Sequence, residues 1–196
     1  MYGGWRDIKN KFLLKSLINS AVIKKNDYSY LINPITDGIP KLEPDLLSEV
    51  SDEIIKIIEK YKPIDRIVTI EAMGIPLATI ISYKMKIPFT IIRKRCYNFK
   101  DEIKVKQQTG YSTSDLYING FSKGDRIVIV DDILSTGSTI KTVISALLKI
   151  GVIIKSVIVP IEKKNISQKL QKEIGIPIIS LCNIEIIDGI VKIIEK

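Results

Sequence analysis

Apolar residues recur along the chain in two different periods, and each period predicts a different kind of element. Residues 44–58 place their apolar side chains three or four positions apart, which is the spacing of one helical face. Pro44 and Asp45 are typical of a helix start. The segment is therefore predicted to form a helix whose buried face consists of Leu46, Leu47, Val50, Ile54, Ile57 and Ile58.

Short runs of consecutive apolar residues predict buried strands. Such runs occupy residues 64–70, 88–92, 126–130 and 152–160, and residues 177–181 form a fifth candidate. Between them, a short helix is expected from Pro76, and a longer helix is expected to reach Ile150, with Gly151 as its C-terminal cap. Strands that alternate with helices indicate an α/β fold, in which a mainly parallel sheet is covered by helices on both faces.

Three further segments have a distinct composition. Residues 28–40 mix aromatic and β-branched residues with Pro and Gly, which predicts a short strand followed by turns. Residues 184–194 alternate around Asp188–Gly189, a strong hairpin pattern. Residues 93–117 are polar, with little periodicity, and are predicted to be a long functional loop or a flexible hairpin. No repeat or linker divides the chain, so residues 1–196 are expected to form one domain.

Composition limits the chemistry that the chain can perform. The chain contains no histidine, which excludes Ser-His-Asp and Cys-His catalysis and most zinc sites. Cys96 and Cys182 form no CxxC pair and are interpreted as structural thiols. The net charge of +8 suits a polyanionic partner or a phosphate-rich substrate, although the scattered lysines favour a general compositional bias instead.

The apolar pattern also bears on location and membrane association. No apolar run approaches the roughly 18 residues that span a bilayer. Residues 1–10 contain no apolar stretch of the secretory kind. A cytoplasmic protein without a membrane partner is expected.

The segment that carries the chemistry is IVIVDDILSTGST, residues 127–139. A buried strand ends in two adjacent carboxylates, Asp131 and Asp132, and a loop of small hydroxyl residues follows before a helix. Ligands bind at the carboxyl ends of parallel strands, and backbone N–H groups at a helix start bind phosphate. The carboxylates beside that loop can accept hydrogen bonds from sugar hydroxyls, so the pattern predicts a ribose phosphate site. An exposed acid pair and an ordinary helix cap are the alternative interpretation.

Residues 127–139 resemble the binding motif for phosphoribosyl pyrophosphate (PRPP) of the type I phosphoribosyltransferases. The resemblance implies a Rossmann-like fold with a small hood, to which residues 1–40 and the hairpin of residues 177–196 contribute. It implies that Asp131 and Asp132 meet the ribose hydroxyls in the catalytic site. It also implies that the 5′-phosphate is bound by Ser135, Thr136, Gly137, Ser138 and Thr139.

The resemblance extends to other parts of the chain. It implies that pyrophosphate is bound by a loop that often contains a cis peptide, here Glu71, Ala72, Met73 and Gly74, and by the basic pair Arg93 and Lys94. Residues 95–117, with Lys100, Lys104, Lys106 and Tyr111, match the mobile loop that closes over the reaction. From the residues alone, the first segment is also compatible with an ordinary turn and the basic pair with a solvated one.

The implied reaction is displacement of pyrophosphate from C1 of PRPP by a ring nitrogen of a purine base. Such a reaction needs positioning and charge stabilisation rather than a covalent nucleophile. Mg²⁺ is expected to bind mainly through PRPP oxygens and water, with no protein ligands assigned to it.

The identity of the base is left with two conflicting indications. Many 6-oxopurine enzymes of the family carry an aspartate where this chain has Ser135, so in this motif the chain resembles the adenine and xanthine branches more closely, and adenine would give AMP as the product. Lys163 is a donor suited to a 6-oxo group, which favours hypoxanthine or guanine, although it is also compatible with a solvated loop. Adenine is placed first, with a base site formed by Ile133, Ile161 and Lys163.

A regulator on the same scaffold that senses PRPP and binds nucleic acid is the alternative of another class. The chain shows no helix-turn-helix extension, so a nucleic-acid partner is not expected. A homodimer or a higher homo-oligomer is expected from the family, in which the basic loop often reaches a neighbouring subunit.

Overall fold

The structure is a computed structural model that describes residues 10–25, 28–108 and 113–194, without the side chains of Lys25, Gln108 and Thr113. Residues 1–9, which belong to the predicted hood, and Tyr111 of the predicted lid lie outside the described residues. A one-turn 3₁₀ helix at Glu59–Tyr61 accompanies the α-helices and β-strands. In chain order these are α1 (Lys11–Ile18), β1 (Ala21–Lys25), β2 (Tyr28–Ile32), α2 (Pro34–Asp37), α3 (Pro44–Ile58), β3 (Arg66–Ile70), α4 (Gly74–Met85), β4 (Phe89–Ile92), β5 (Ile103–Gln108), β6 (Thr113–Ile118), β7 (Arg126–Val130), β8 (Ile133–Leu134), α5 (Ser138–Ile150), β9 (Ile153–Lys163), α6 (Ile166–Ile174), β10 (Ile178–Ile187) and β11 (Ile190–Ile194).

The central sheet has the strand order β11-β10-β9-β7-β3-β4, and the short strand β8 also pairs with β9. The neighbours from β10 to β4 are all parallel, whereas β10 and β11 form an antiparallel hairpin. This hairpin turns at Asp188–Gly189, where both residues have positive φ angles. The mainly parallel sheet and the C-terminal hairpin that the sequence predicts are therefore confirmed.

Helices cover both faces of the sheet, which explains why its central strands are apolar throughout. Side chains of β7 alternate: Ile127 and Ile129 pack into one core, and Val128 and Val130 pack into the other. The first core includes residues of α5, α6 and the β5–β6 hairpin, and the second includes residues of α1, α3 and α4. Neither face of β7 reaches solvent, so its sequence shows an apolar run instead of alternation.

Residues 93–117 contain the hairpin that was one of the two predicted alternatives, and not a long loop without periodicity. Strands β5 and β6 form an antiparallel hairpin, and Leu116 and Ile118 are fully or almost fully buried. Ile103 and Val105 pack against the first core and alternate with the exposed Lys104 and Lys106. The outward positions are lysines and the segment as a whole is polar, so the alternation of inward and outward residues was not recognised in the sequence. Within the described part of this segment, only residues up to 102 lack a regular strand or helix.

Helix α6 was not predicted, because its sequence is mostly polar. Its apolar residues Ile166, Leu170 and Ile174 lie four positions apart and pack against the first core, so a narrow apolar stripe is present among the polar residues. Residues 10–37, named the N-terminal segment here, form α1, the β1–β2 hairpin and α2, and they pack beside β11. No helix within the described residues is long and apolar enough to cross a membrane.

Candidate functional site

A cavity of about 380 Å³ opens where β3 and β7 end. Parallel strands converge at this edge, so residues far apart in sequence share one wall. The N-terminal segment contributes Tyr28, Tyr30 and Asp37 from above, and β9 contributes Lys163 at its last position. Most of the predicted site residues line the cavity, namely Glu71, Ala72, Met73, Lys94, Asp131, Asp132, Ile133, Ser135, Thr136, Gly137, Thr139 and Lys163.

The loop that follows β8 has the geometry of an anion site. Ser135, Thr136, Gly137 and Thr139 line the cavity, and helix α5 begins at Ser138, so the N–H groups of its first turn and its positive dipole end lie beside the cavity. Gly137 has a φ of 78°, and a Cβ atom would lie 3.1 Å from Leu170 and 3.3 Å from Ile166. The turn therefore requires glycine. Ser138 stands just behind the wall, where its Oγ lies 3.0 Å from Thr136 Oγ1.

Asp131 and Asp132 lie side by side at the end of β7. Asp131 is only 9% exposed, and burial raises its pKa from 3.8 to about 6. Burial, together with repulsion from Asp131, raises the pKa of Asp132 well above its ordinary value. Two adjacent carboxylates in a largely buried position resist full ionisation, so the pair holds a proton more readily than exposed aspartates do. Hydroxyl groups and cations both stabilise such a pair.

The loop from Glu71 to Gly74 crosses the end of β3, and its Glu71–Ala72 peptide is cis, as the family resemblance implies. A Cβ atom on Gly74 would lie 2.1 Å from Thr69 Oγ1 and 2.9 Å from Asp131 Oδ1. Glycine is what lets this loop lie against the carboxylate pair. Gly74 itself starts α4 and does not line the cavity.

Glu71 anchors the basic pair that follows β4. Arg93 Nε donates to Glu71 Oε2 at 3.0 Å, and the backbone N–H of Lys94 donates to the same oxygen at 2.9 Å. The Lys94 backbone bond, followed by the charge of Arg93, holds the pKa of Glu71 below its ordinary value. The carboxylate thus neutralises Arg93, which stays outside the cavity, while Lys94 reaches the wall. Of the predicted pair, Lys94 is the residue placed to meet an anion.

Lys163 is held in a fixed position on the opposite side of the cavity. Its Nζ donates to Tyr28 Oη and to the carbonyl oxygen of Ser29, each at 3.0 Å, and it lies 4.6 Å from the centre of the Tyr28 ring. Ile133 lines the same cavity. Ile161, which was expected to contact the base, pairs with Ile133 across β8 and β9 and is fully buried in the core. It supports the wall from behind and is not exposed to a ligand.

Several cavity residues were missed in the sequence, and three of them make polar contacts at the site. Tyr28 contacts both Lys163 and Ser135. Asp37 accepts hydrogen bonds from Tyr30 Oη at 2.7 Å and Thr36 Oγ1 at 2.6 Å. Gln107 Nε2 donates to Thr139 Oγ1 at 3.2 Å and so connects the β5–β6 hairpin to the start of helix α5, next to the loop that follows β8. The inward position of Gln107 follows from the period of β5, which was the pattern available to find it.

The described residues contain no group of three or more His, Cys, Asp or Glu side chains arranged to hold a metal ion. Asp131 and Asp132 provide hard oxygen donors at the cavity, which suits a magnesium ion that keeps other ligands from substrate oxygens and water. The raised pKa of both carboxyls is consistent with a site that gains from a cation.

Comparison with known proteins agrees with this geometry. The chain matches the family described as "Phosphoribosyl transferase domain" over residues 43–189. It is 53% identical over 174 residues to the hypoxanthine/guanine phosphoribosyltransferase of Methanohalobium evestigatum, covering 89% of this chain and 90% of that protein. It is 48% identical over 183 residues to the protein of the same name from Ferroglobus placidus, covering 93% and 96%.

Solved structures show the same fold at lower identity. The adenine phosphoribosyltransferase of Thermoanaerobacter pseudethanolicus superposes with a TM-score of 0.70 at 23% identity, covering 88% of this chain and 98% of that one. The adenine enzyme of Trypanosoma brucei gives a TM-score of 0.74 at 17% identity, covering 91% and 81%. The archaeal relatives, the family match and the shared fold together show that the chain belongs to the purine branch of the type I phosphoribosyltransferase family and is a phosphoribosyltransferase enzyme.

Proposed function

We propose that the protein transfers the 5-phosphoribosyl group of PRPP to hypoxanthine or guanine, giving IMP or GMP and pyrophosphate. The relatives at 47–53% identity that cover about nine tenths of the chain carry the name of this activity. They favour the alternative that the sequence analysis ranked second over its first choice, adenine. The structural neighbours named for adenine are at most 23% identical and support only the fold.

The single observation that carries the choice of base is the position of Lys163. An ammonium group has three donors and no acceptor. Two of its donors bind Tyr28 and Ser29, and one N–H is left for a ligand, since no further acceptor for it occurs among the described residues. Hypoxanthine and guanine present a 6-oxo acceptor, whereas adenine presents an amino donor there. With adenine bound, this donor would be left without an acceptor, which costs about 1–3 kcal/mol of binding free energy relative to an oxopurine.

The remaining groups fit PRPP. The loop of residues 135–139 would bind the 5′-phosphate through its hydroxyls and the start of α5. Asp131 and Asp132 would accept hydrogen bonds from the ribose 2′- and 3′-hydroxyls. Ala72 and Met73 would present backbone N–H groups to the pyrophosphate, with Lys94 supplying charge.

The chemistry needs no covalent intermediate. The bond between C1 and the pyrophosphate oxygen breaks, a bond forms between C1 and a ring nitrogen of the base, and the proton of that nitrogen is released. Positive charge develops on the ribose in such a displacement, and the carboxylates of Asp131 and Asp132 would stabilise it. Mg²⁺, held by PRPP oxygens and water, would neutralise the departing pyrophosphate.

The decisive experiment measures product formation from PRPP and Mg²⁺ with hypoxanthine, guanine, xanthine and adenine in parallel. We expect kcat/KM for hypoxanthine or guanine to exceed that for adenine. Lys163→Met keeps the aliphatic stem and removes the donor, so it should lower kcat/KM for the oxopurines and leave the low value for adenine unchanged. Turnover of adenine alone by the wild type would refute the proposed choice of base.

A homodimer in the cytoplasm completes the proposal. The segment of residues 93–102 carries the exposed aromatic residues Tyr97 and Phe99, stacked with ring centres 5.9 Å apart, which would suit contact with a second copy. Light scattering at micromolar concentration should give twice the monomer mass, and a monomer would refute this part of the proposal.

A further inference from the structure

A chain of hydrogen bonds crosses the cavity from the base side to the phosphate side. Lys163 Nζ donates to Tyr28 Oη at 3.0 Å, and Tyr28 Oη is in turn hydrogen-bonded to Ser135 Oγ. Lys163 belongs to the end of β9, Tyr28 to the N-terminal segment, and Ser135 to the loop before α5. One phenol hydroxyl therefore joins the two halves of the proposed active site.

The direction of these bonds depends on what occupies the phosphate loop. The Lys163 ammonium can only donate, so Tyr28 Oη must accept from it. Either hydroxyl can supply the hydrogen between Tyr28 and Ser135. A phosphate dianion is an acceptor, so Ser135 donates its hydrogen to a bound phosphate and must then accept from Tyr28. Binding of a phosphate thus fixes one direction, from Lys163 through Tyr28 and Ser135 to the phosphate.

Bonds that run in one direction polarise and strengthen one another. A phosphate at Ser135 would therefore tighten the bond between Tyr28 and Lys163 and restrict the lysine, whose remaining N–H would then point steadily at the base. The lysine side chain then loses its conformational freedom before the base arrives. Because binding of the base no longer bears that entropic cost, the affinity for the base rises.

We propose that Tyr28 is a positioning residue that couples the two substrate sites, so that occupation of the phosphate loop increases the affinity for the base through Lys163. The inference rests on the proposed function, because it takes Lys163 as the base donor. It adds a role for a side chain of the N-terminal segment and predicts that Ser135, on the phosphate side, influences the base.

The test is a double-mutant cycle on the base KM, measured at saturating PRPP. Ser135→Ala should raise the hypoxanthine KM by about 3- to 10-fold, the effect of one hydrogen bond. In a Tyr28→Phe background, which keeps the ring against Lys163, the same substitution should leave the base KM unchanged within about twofold, the usual error of additivity. Tyr28→Phe should likewise add nothing in a Lys163→Met background.

Tyr30→Phe is the matched control, because it removes a tyrosine hydroxyl from the same strand. That hydroxyl donates to Asp37 and not to Ser135. Its effect on the base KM should add to that of Ser135→Ala. A second measurement needs no turnover: saturating ribose 5-phosphate should tighten calorimetric binding of hypoxanthine to the wild type by about 3- to 10-fold, and should have no such effect on Tyr28→Phe.

The outcomes separate this inference from the proposed function. Additive effects of Ser135→Ala and Tyr28→Phe, in an enzyme that turns over hypoxanthine or guanine, would overturn the coupling and leave the function intact. A wild type that accepts neither base would refute the proposed function, and the same cycle is then measured with the base that it does accept. Non-additive effects of Ser135→Ala and Tyr28→Phe on the KM of that base would still support coupling through Tyr28, and additive effects would overturn it.

Discussion

Replacement of Asp131 by asparagine should make the empty protein more stable at neutral pH while it abolishes most of the activity. Burial raises the pKa of Asp131 from 3.8 to about 6. The folded state therefore resists ionisation of this carboxyl, whereas the unfolded chain ionises it freely above pH 4. As pH rises from about 4 to 6, the wild type loses stability that it has when the carboxyl is protonated. Asparagine has the same shape and cannot ionise, so the variant does not suffer this loss.

The magnitude follows from the size of the pKa change. A difference of about 2 units at about 1.4 kcal/mol per unit gives about 3 kcal/mol at pH 7 or above. For a chain of this length that corresponds to a rise of roughly 6–12 °C in Tm. The same substitution removes the repulsion that raises the pKa of Asp132, which acts in the same direction.

The assay is thermal unfolding of the wild type and Asp131→Asn, without substrates, from pH 4 to 8. The two Tm values should be close at pH 4 and should separate as pH rises, with the variant higher. Asp65→Asn is the control of opposite sign, because hydrogen bonds from Arg126 lower the pKa of Asp65 to about 2. That variant should be less stable than the wild type from pH 8 down to 4, and in scans extended below pH 4 the difference should be lost as pH falls toward about 2. A Tm difference for Asp131→Asn that is negative or independent of pH would refute the reasoning, and full turnover by the Asp131→Asn/Asp132→Asn double variant would exclude the pair from catalysis.

Three other predictions concern the close approach at Gly74, the buried hydroxyl of Thr69 and the segment of residues 93–102. Gly74→Ala should lower the free energy of unfolding by about 1–3 kcal/mol, since its Cβ collides with Thr69 and Asp131, and should raise the PRPP KM; an unchanged denaturant midpoint would contradict the close approach. Thr69→Val should raise that free energy by about 1 kcal/mol, because the buried Thr69 hydroxyl has no partner among the described residues, whereas Ser180→Ala, which breaks a buried hydrogen bond, should lower it. Trypsin should cut the free protein first within residues 93–102, more slowly with PRPP and Mg²⁺; a rate that PRPP does not change would mean that the segment is not ordered by substrate.

Much of the fold was predictable because its central strands are buried on both faces. The apolar runs of β3 and β7 and the acid pair after β7 can be recognised in isolation, since burial and ligand binding each impose a local pattern. The Asp188–Gly189 turn has a composition that only a few backbone geometries accept. These features depend on residues adjacent in sequence, so one segment at a time was enough to identify them.

The base side of the site could not be predicted in the same way. Tyr28 and Asp37 acquire their positions from packing of the N-terminal segment over β9, and a sequence window around either residue contains no trace of that contact. Ile161 was placed in the base site because it neighbours Lys163 in sequence. In a strand, residues two apart share a face, but Ile161 is fully buried in the second core, whereas Lys163 at the end of the strand lines the cavity. The depth at which a side chain ends is a property of tertiary packing.

The end of β9 makes the choice of base depend on strand register. Lys163 and Glu162 are adjacent, so their side chains point to opposite faces, and they have opposite hydrogen-bond roles: Lys163 donates to its partners, and Glu162 accepts from its partners. Glu162 is buried beneath α6, where it accepts from the Ser167 N–H and from Ser180 Oγ, each at 2.9 Å. A slip of one residue would exchange the two side chains and present an acceptor to the base. The contacts of Glu162 with α6 and β10 thus hold the register at the end of β9, and an insertion or deletion of one residue that shifted this register would replace the donor at the pocket with an acceptor.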